Sequence, residues 1–463
     1  MSDRHRHPYE NVLDLVGWTP LVRLQRVTDG VRTTVLGKCE FMNPGGSVKD
    51  RIGPAMIEQA EREGRLRPGG TIVEATSGNT GLALAMAAVA KGYHCIFTMP
   101  DKMSQEKVKL LRAFGADVVT TPTAVPPEHP EHYLQRARQI AKDTPGAVLA
   151  DQFYNLANPE AHYRTTGPEI WEQTEGSVTH FLAGAGTGGT ITGVARYLKE
   201  QNPEVRIVGV DPRGSVIAPF FHTGEMTEGD PYQVEGCGND KIPGTLDLEL
   251  VDDYVTVSDR DAFAMARRLT REEGLFVGGS TGLIVHAALD LARELDDPNA
   301  CVVAVLCDWG EHYLSKLFDD EWMRSNGFLA DEWRMVQDLL GQKERPGPDL
   351  VSVEPQTTVR MALSAITTHD VSQLPVVLDG ECIGSLAEGD LMGRVIQDPE
   401  LLDTPVEDVM DPPFPVVDGY LSAEHATRLL TRKNAAVLVR TDGAIEGIVT
   451  RYDVVQSLTK GGT

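Results

Sequence analysis

Residues 180–201 read HFLAGAGTGGTITGVARYLKEQ, in which a short apolar run leads through closely spaced glycines into a helical pattern. The run from His180 to Ala185 predicts a buried strand, and the segment from Ile191 to Gln201 predicts a helix. The glycines between them leave backbone amides accessible at the start of that helix, where an anion such as a phosphate group binds well. A strand that leads into a helix in this way is typical of an α/β fold.

The same alternation extends from about residue 10 to about residue 330. Further strand-like runs lie at 71–74, 94–99, 206–210 and 301–306, and each is next to a helical pattern. We therefore expect an α/β fold with a largely parallel sheet covered by helices. In such a fold, ligands bind at the carboxyl ends of the strands.

The composition changes after this region. Residues 336–349 are polar and rich in proline and glycine, as linkers are. Residues 350–461 contain an internal repeat, in which Asp379-Gly380 and Asp390 recur at a constant offset as Asp442-Gly443 and Asp453. The sequence thus predicts a catalytic domain at 9–335, a linker at 336–349 and two packed α/β repeats at 350–461. The shared aspartate of the repeats is equally consistent with a helix N-cap.

The composition also excludes some classes of protein. The formal net charge of −25 argues against nucleic acid or an anionic membrane as a main partner. The six cysteines lack disulfide-framework and zinc-ligand spacing, which predicts no metal site and a reducing compartment. The N-terminal segment with His5 and His7 has no apolar signal core, and the longest apolar run, Leu82 to Ala90, is too short to span a membrane. We therefore expect a cytoplasmic protein.

The glycine-rich loop by itself leaves two functions open. Gly184, Gly186 and Gly189 match the dinucleotide pattern G-x-G-x-x-G, and Asp211 closes a later strand, so a dehydrogenase remains a candidate. A phosphate site for another cofactor is the alternative.

Three other polar clusters at predicted strand-to-helix turns have no role in hydride transfer. They are Asn43 to Arg51, Thr76 to Gly81, and Gly278 to Gly282. The first contains Lys49 directly after two glycines and a serine, where a side chain is held at a loop-to-helix junction. A surface lysine and a plain helix cap are the simpler interpretations of single clusters. Together with a phosphate loop, however, the clusters favour a cofactor site.

These clusters, with further stretches, resemble the fold type II family of pyridoxal-phosphate enzymes, and within it residues 9–328 are similar to the cystathionine β-synthases. The repeat resembles the tandem CBS-repeat (Bateman) module. The further matching stretches are Lys38 to Phe41, Met99 to Ser104, Asn158 to Tyr163, Gly209 to Pro212 and Val234 to Gly236.

The resemblance implies a role for each site residue. Lys49 would bind pyridoxal 5′-phosphate covalently and then transfer protons. Asn79 would contact the ring 3′-oxygen, and Ser280 the ring nitrogen. The cofactor phosphate would be held by Gly186, Thr187, Gly188, Gly189 and Thr190. The substrate carboxylate would be held by Thr76, Ser77, Gly78 and Gln152.

The implied reaction is a β-replacement that condenses L-serine with L-homocysteine to give cystathionine, a transsulfuration step of amino-acid metabolism and cysteine biosynthesis. A neutral serine at the ring nitrogen moderates the electron sink, which favours loss of a β-substituent over transamination. Phe153 and Asn239 stand where closer relatives carry tyrosine. They leave open a cysteine synthase that uses O-acetylserine and sulfide.

The resemblance also concerns regulation and assembly. Thr450 and Asp453 would contact S-adenosylmethionine or an adenine nucleotide, whereas Ala387 replaces the expected hydroxyl residue in the first repeat. We therefore expect at most one adenosyl site, and a homo-oligomer, either a dimer or a tetramer. A non-catalytic sensor that uses only the repeats is a further alternative. The haem segment of the animal enzymes is expected to be missing, so no haem is predicted.

Overall fold

The computed structural model describes residues 8–76, 78–101, 105–123, 125–126, 128–329, 336–341, 350–419, 429–431, 434–441 and 444–460. The chain divides into two compact units, Met1–Phe328 and Leu329–Thr463. The first unit contains Lys49 and the glycine-rich loop, and the second contains the repeats.

The larger sheet of the first unit is parallel except at one edge. Its strands are β1 (Leu21–Arg23), β2 (Thr34–Cys39), β7 (His180–Gly184), β8 (Arg206–Pro212), β9 (Asp253–Val257) and β10 (Cys301–Leu306), in the spatial order β1-β2-β10-β7-β8-β9. Only β1 runs antiparallel to its neighbour among these described strands. Every residue of the central strand β10 is buried, as expected for a strand covered by helices on both faces.

The smaller sheet of this unit is parallel throughout. Its strands are β3 (Thr71–Ala75), β4 (His94–Pro100), β5 (Asp117–Thr121) and β6 (Ala147–Leu149), in the order β5-β4-β3-β6. Ile72, Phe97 and Met99 from this sheet lie in one apolar core with Leu84 of the following helix. The helix that follows the carboxyl end of β3 is therefore fixed by packing against this sheet.

Helices cover both sheets. They are α1 (Ile52–Arg62), α2 (Asn79–Lys91), α3 (Gln105–Ala113), α4 (Tyr133–Asp143), α5 (Ala157–Arg164), α6 (Thr166–Gln173), α7 (Gly189–Gln201), α8 (Ile217–Thr223), α9 (Asp259–Arg268), α10 (Gly279–Leu295) and α11 (Asp320–Ser325). Residues Thr80 to Ala88 of α2 are all buried, which explains the long apolar run as a core helix. Helix α2 ends at Gly92, whose φ of 76° lies in the left-handed region that glycine adopts readily.

The predicted fold class is confirmed. The predicted strand at 180–185 is β7, the predicted helix at 191–201 lies within α7, and the runs at 71–74, 94–99, 206–210 and 301–306 are β3, β4, β8 and β10. Helices α1, α2 and α10 begin within or directly after the three polar clusters, and α7 begins in the glycine-rich loop.

The second unit contains two similar hairpins. Its strands are β11 (Gln373–Leu378), β12 (Glu381–Ala387), β13 (Val416–Asp418), β14 (Ala436–Thr441) and β15 (Ala444–Thr450), and its helices are α12 (Val336–Gly341), α13 (Val359–His369), α14 (Glu388–Gln397) and α15 (Arg451–Lys460). The antiparallel pairs β11–β12 and β14–β15 have a register shift at equivalent places, after Val376 and after Val439. The sequence repeat is therefore also a structural repeat.

Helix α12 lies in the segment that the sequence assigns to the linker. Val336 and Leu339 are buried in one apolar cluster with Val437 and Val439 of β14. Residues 336–341 are thus part of the second unit, and residues 342–349 lie outside the described residues.

Across the described ranges, the structure contains no helix with the length and apolar character needed to cross a membrane. The same ranges contain no cluster of three or more His, Cys, Asp or Glu residues placed to hold a metal ion.

Candidate active site

A cleft with an empty volume of about 480 Å³ opens at the carboxyl ends of β7 and β10. Lys49, Asn79, Ser280 and the glycine-rich loop all contribute to its wall. Among the described residues, the lining consists of Val48, Lys49, Asn79, Ala183, Gly184, Gly186, Thr187, Gly188, Thr190, Gly236, Cys237, Ser280, Val305, Cys307 and Asp308. Segments that are far apart in the sequence therefore meet where the parallel fold predicts a ligand.

The loop that carries Lys49 is fixed by its own hydrogen bonds. Lys49 lies in a short 3-10 helix, Val48–Arg51, and the Ser47 hydroxyl accepts a hydrogen bond from the Lys49 backbone N–H at 3.2 Å. Asp50 Oδ2 accepts a second hydrogen bond from the Gly45 backbone N–H at 2.6 Å. Burial raises the pKa of Asp50 to about 7. The backbone under Lys49 is thus held at both ends, while the lysine side chain is half-buried at the cleft.

Behind this loop lies a buried ion network. Arg51 donates to both carboxylate oxygens of Glu40, at 2.6 and 2.7 Å, and to both oxygens of Glu169, at 2.7 Å each. Lys38 Nζ lies 2.7 Å from Glu169 Oε2. Burial alone would raise the pKa of Glu40, but the Arg51 guanidinium lowers it to about 2. The network ties the end of the Lys49 loop to β2 and α6.

The glycine-rich loop has no space for side chains. A Cβ on Gly186 would contact the Gly236 carbonyl oxygen, and a Cβ on Gly189 would contact the Asn158 amide. Gly188 has a φ of 87°, which disfavours other residues. The backbone therefore approaches the cleft closely, and the first amides of α7 have no partner within the helix. This is the arrangement that binds a phosphate group.

Buried side chains hold this loop from behind. Asn158 Nδ2 donates to the Thr187 hydroxyl at 3.0 Å. The His162 ring bridges two threonines, with Nε2 at 3.2 Å from Thr190 Oγ1 and Nδ1 at 2.9 Å from Thr166 Oγ1. Burial lowers the pKa of His162 to about 3, so the ring is neutral near pH 7. A neutral ring donates at one nitrogen and accepts at the other, which orients the Thr190 hydroxyl.

Asn79 and Ser280 face the other end of the cleft. Asn79 Nδ2 donates to Asp308 Oδ2 at 2.7 Å, and Ser280 is 2 % exposed in the first turn of α10. Asn79 provides an amide and Ser280 a neutral hydroxyl, both of which can form hydrogen bonds with a polar ring. A carboxylate at position 280 would instead place a negative charge there.

Of the residues predicted to bind the substrate carboxylate, Thr76, Gly78 and Gln152 are described, and none of these three belongs to the cleft lining. Gly78 N–H donates to Thr76 Oγ1 at 3.3 Å, and Gln152 Oε1 accepts from the Thr80 hydroxyl at 2.6 Å. The buried Glu74 accepts from the Asp151 backbone N–H at 2.7 Å and is also hydrogen-bonded to Gln152. Gln152 is thereby held next to the start of α2. Ser77 lies outside the described residues.

Several residues of this site are not predicted from the sequence. Asp308, Cys237 and Cys307 line the cleft, and Asn158 and His162 support the glycine-rich loop. Asp308 and Cys307 directly follow β10, so the rule that ligands bind at strand ends was a usable signal. Asn158 and His162 lie in the stretch from Asn158 to Tyr163, which resembles the family. Nothing local in the sequence indicates their partners.

Three residues that bear on the alternatives have structural partners. Asp211, the acidic residue of the dinucleotide pattern, is fully buried and its Oδ2 accepts from the Ala218 N–H at 2.9 Å, so a ribose has no access to it. Asn239 Nδ2 donates to the Gly186 carbonyl at 3.1 Å. The Phe153 carbonyl accepts from the Thr245 N–H at 3.1 Å.

In the second unit, Thr450 and Asp453 contact each other at the start of α15. Asp453 Oδ2 accepts from the Thr450 N–H and hydroxyl, at 2.7 Å each, and the Thr450 hydroxyl accepts from the Asp453 N–H at 3.4 Å. This reciprocal pair is a helix capping box.

Comparison with known proteins gives consistent findings for both units. The family model described as "Pyridoxal-phosphate dependent enzyme" matches residues 12–308, and the model of the CBS domain matches residues 343–396 and 406–460. Both matches agree with the resemblance noted from the sequence motifs.

Curated relatives cover most of the chain. A cystathionine beta-synthase from Dictyostelium discoideum is 38% identical over 97% of this chain and 92% of its own length. A cystathionine beta-synthase from Mus musculus is 43% identical over 83% of this chain and 70% of its own length. Among solved structures, an O-ureido-L-serine synthase superposes with a TM-score of 0.62 at 40% identity, over 69% of this chain and 100% of that chain.

Proposed function

The chain belongs to the cystathionine β-synthase family of pyridoxal-phosphate-dependent enzymes, and we propose that it condenses L-serine with L-homocysteine to give cystathionine and water. The observation that carries this proposal is the convergence of Lys49, Asn79, Ser280 and the glycine-rich loop on one cleft. The reaction replaces the β-hydroxyl of serine by the homocysteine thiol, so one C–O bond breaks and one C–S bond forms.

The lining of the cleft fits pyridoxal phosphate. Lys49 provides an amine for its aldehyde, and the glycines at 186, 188 and 189 leave a cradle that a single Cβ would fill. Asn79 and Ser280 provide hydrogen-bonding groups for the ring. When it is bound, the cofactor supplies an electron sink that stabilises negative charge at the α-carbon of an amino acid.

Residues of the chain transfer the proton, contact the ring nitrogen and bind the phosphate. We assign to Lys49 Nζ the removal and return of the α-proton, because it is the amine in the cleft on a rigid loop. Ser280 keeps the ring nitrogen uncharged, since a hydroxyl stabilises a pyridinium much less than a carboxylate does. The loop of Gly186 to Thr190 anchors the phosphate and thereby sets the position of the ring relative to Lys49.

We assign the substrate carboxylate to Thr76, Ser77 and Gly78, with Gln152 opposite. Gly78 is the N-cap of α2, so the first amides of this helix and the Thr76 hydroxyl form an anion site like that of the glycine-rich loop. The contacts of Gln152 with Thr80 and Glu74 support this assignment because they fix its side chain beside the helix start.

The test is a side-by-side assay of the purified full-length protein. We expect a yellow protein that absorbs near ~410 nm and makes cystathionine from serine and homocysteine faster than cysteine from O-acetylserine and sulfide. The solved O-ureido-L-serine synthase shares this scaffold at 40% identity, so the nucleophile has to be measured. Faster turnover with O-acetylserine and sulfide would support the cysteine synthase alternative instead.

Lys49→Ala tests the role of the lysine. We expect the variant to lose the absorbance of the covalently bound cofactor and essentially all turnover, because no other amine lines the described part of the cleft. Lys316→Ala is a matched control, since Lys316 is paired with Glu235 outside that lining. A Lys49→Ala variant that retains activity would refute the assignment.

For the second unit we propose an adenosyl ligand at the repeat that contains Thr450 and Asp453, with S-adenosylmethionine and an adenine nucleotide as the candidates. The matching CBS-domain models support ligand binding in general terms. A homo-oligomer and a cytoplasmic location remain our further proposals, which size-exclusion chromatography with light scattering and cell fractionation can test.

A further inference from the structure

Asp308 stands at the meeting point of the segments that build the cleft. It follows β10, is 2 % exposed and lines the cleft. Its Oδ2 accepts one hydrogen bond from Asn79 Nδ2 and one from the Tyr313 hydroxyl, each at 2.7 Å. Its Oδ1 is buried and has no hydrogen-bond partner among the described residues. A buried carboxylate with an unused oxygen is costly, so its retention at this place requires an explanation.

The contact with Asn79 has a chemical consequence. An asparagine side chain can rotate by half a turn, which exchanges its carbonyl oxygen and its NH2 group. When it is ionised, Asp308 Oδ2 can only accept, so a flipped Asn79 would place two acceptors against each other. Burial raises the pKa of Asp308, but both partners of Oδ2, the Asn79 amide and the Tyr313 hydroxyl, donate to it and favour the ionised form. The observed orientation uses one N–H of the Asn79 amide for Asp308. The second N–H of the same nitrogen then remains for a ligand in the cleft.

The backbone of Asp308 connects the other two segments of the site. The Gly278 N–H donates to the Asp308 carbonyl at 3.2 Å, directly before the helix that carries Ser280. Ser47, at the start of the Lys49 helix, forms a β-bridge with Asp308, and Val48 N–H donates to the preceding Cys307 carbonyl at 2.8 Å. Asp308 therefore contacts all three segments that carry the Lys49 amine, the Asn79 amide and the Ser280 hydroxyl.

We propose that Asp308 is a positioning residue for the cofactor: its carboxylate holds the Asn79 amide so that a hydrogen-bond donor faces the phenolic oxygen of the pyridoxal ring. The inference rests on the proposed cofactor and goes beyond it, because it assigns the orientation of Asn79 to a residue that does not itself carry the chemistry. It does not require cystathionine to be the product.

Asp308→Asn in the full-length protein tests the proposal. The substitution keeps the size of the side chain but removes the obligatory acceptor, so both orientations of Asn79 become accessible. We expect pyridoxal phosphate to bind about tenfold more weakly, as fits the loss of one hydrogen bond to a charged group. The resting absorbance maximum should also move. Cofactor affinity is measured by titrating apo-protein and following tryptophan fluorescence, and the spectrum is recorded without substrate.

Asp211→Asn is the matched control. Asp211, in β8, is also a buried aspartate of the first unit, and its Oδ1 likewise has no partner among the described residues, but it contacts the Ala218 amide and does not line the cleft. We expect cofactor affinity within about twofold of the wild type and an unchanged spectrum, because affinities respond to groups that contact the bound molecule or its ligands. Equal effects of the two substitutions would overturn the proposal.

A double-mutant cycle separates orientation from general packing. If Asp308 acts through Asn79, then Asp308→Asn should weaken cofactor binding by less than about twofold in an Asn79→Ala background. Independent, multiplying losses would contradict the proposal, as would wild-type affinity and spectrum in Asp308→Asn itself. If that variant does not fold, Asp308→Ser removes the carboxylate without adding volume and is measured in the same way.

The outcomes distinguish this inference from the proposed function. A wild-type protein that binds pyridoxal phosphate but makes no cystathionine would refute the proposed reaction and leave the test of Asp308 intact. A wild-type protein that does not bind the cofactor would refute both. Cystathionine production by a protein whose Asp308→Asn variant has an unchanged spectrum and affinity would refute only the role of Asp308.

Discussion

Replacing Glu169 by glutamine removes one charge from the ion network under the Lys49 loop, and we expect it to lower the free energy of unfolding of the first unit by about 3–5 kcal/mol. The network contains two cations, Lys38 and Arg51, and two anions, Glu40 and Glu169. The side chains of Glu169 and Arg51 are 4% and 1% exposed. Water therefore cannot compensate the cationic charge that the substitution leaves unpaired.

The magnitude follows from the contacts of one carboxylate. Glu169 accepts from Arg51 at both oxygens and from Lys38 at Oε2, each at 2.7 Å. A glutamine keeps one uncharged acceptor and places an NH2 group against a cation. The unfolding entropy is about 2.1 cal/mol/K per residue, so each kcal/mol corresponds to roughly 1.5 °C in Tm for the unit Met1–Phe328, and the melting temperature should fall by roughly 4–7 °C. Cofactor affinity should fall as well, because Arg51 terminates the helix that carries Lys49.

Denaturant unfolding and calorimetry measure the effect, with Glu160→Gln as the control. Glu160 pairs with Arg164 and Arg196, but its side chain is 34% exposed, so the same substitution should cost less than about 1 kcal/mol. Burial alone would raise the pKa of Glu169, but the hydrogen bond with Arg51 lowers it below its usual range. The stabilisation is therefore complete above the unfolded pKa of about 4.3 and is lost as the pH falls below it. A loss equal to that of Glu160→Gln, or one that does not shrink on acidification, would refute the reasoning.

Three further changes are expected to have measurable effects. Burial raises the pKa of Glu74 to about 8, so the contribution of Glu74 to the free energy of unfolding falls as the pH rises from its unfolded-state pKa toward 8. Between pH 7 and 9, the free energy of unfolding of Glu74→Gln, measured in urea, should therefore rise by roughly 1 kcal/mol relative to that of the wild type. A difference between the two proteins that does not change with pH would contradict this. His162→Phe should weaken binding of pyridoxal phosphate by about tenfold, because Thr190 loses its orienting partner. The His162 ring is already neutral between pH 6 and 8, so the pH dependence of the affinity in that range should be the same in the variant and the wild type. A wild-type titration step between pH 6 and 8 that is missing in His162→Phe would count against this. Asp453→Ala should destabilise the start of α15 by about 1 kcal/mol, because the capping contacts with Thr450 are lost. In differential scanning fluorimetry, this variant should also lose any thermal shift with S-adenosylmethionine or ATP, while Asp390→Ala should preserve that shift. A shift retained by Asp453→Ala would exclude this site.

The sequence predicts the layers of the first unit well because its two sheets are parallel apart from the edge strand β1. Strands buried on both faces read as continuous apolar runs, and the structure places β3, β4, β7, β8 and β10 at the predicted runs. The positions of Lys49, Asn79 and Ser280 in one cleft follow from the same rule, since all of them lie at turns that lead from one layer into the next. Local pattern and global fold agree at these residues.

Contacts between distant segments could not be predicted in this way. Asn79 and Asp308 are 229 positions apart, and Arg51 and Glu169 are 118 positions apart. No periodicity links such pairs, and a buried charge looks like an exposed one in the sequence, because most aspartates and glutamates are exposed. Helix α12 was missed for a different reason: Val336 and Leu339 belong to a short segment whose apolar partners come from β14, far along the chain.

The contacts of Phe153 and Asn239 connect both residues to the glycine-rich loop. From the sequence, both are expected to bear on the choice of nucleophile, because the family resemblance implies tyrosine at these positions. In the structure, the Asn239 side chain holds the Gly186 carbonyl, and the Phe153 carbonyl holds Thr245, whose hydroxyl donates to the Thr187 carbonyl at 2.5 Å. Both positions are therefore coupled to the loop assigned to the cofactor phosphate. A substitution at Asn239 removes its contact with the loop, whereas the contact at position 153 is made by the backbone carbonyl and survives a change of side chain. An effect of Asn239 on nucleophile choice therefore has to be separated from an effect on cofactor position by measuring cofactor affinity alongside turnover with homocysteine and with sulfide.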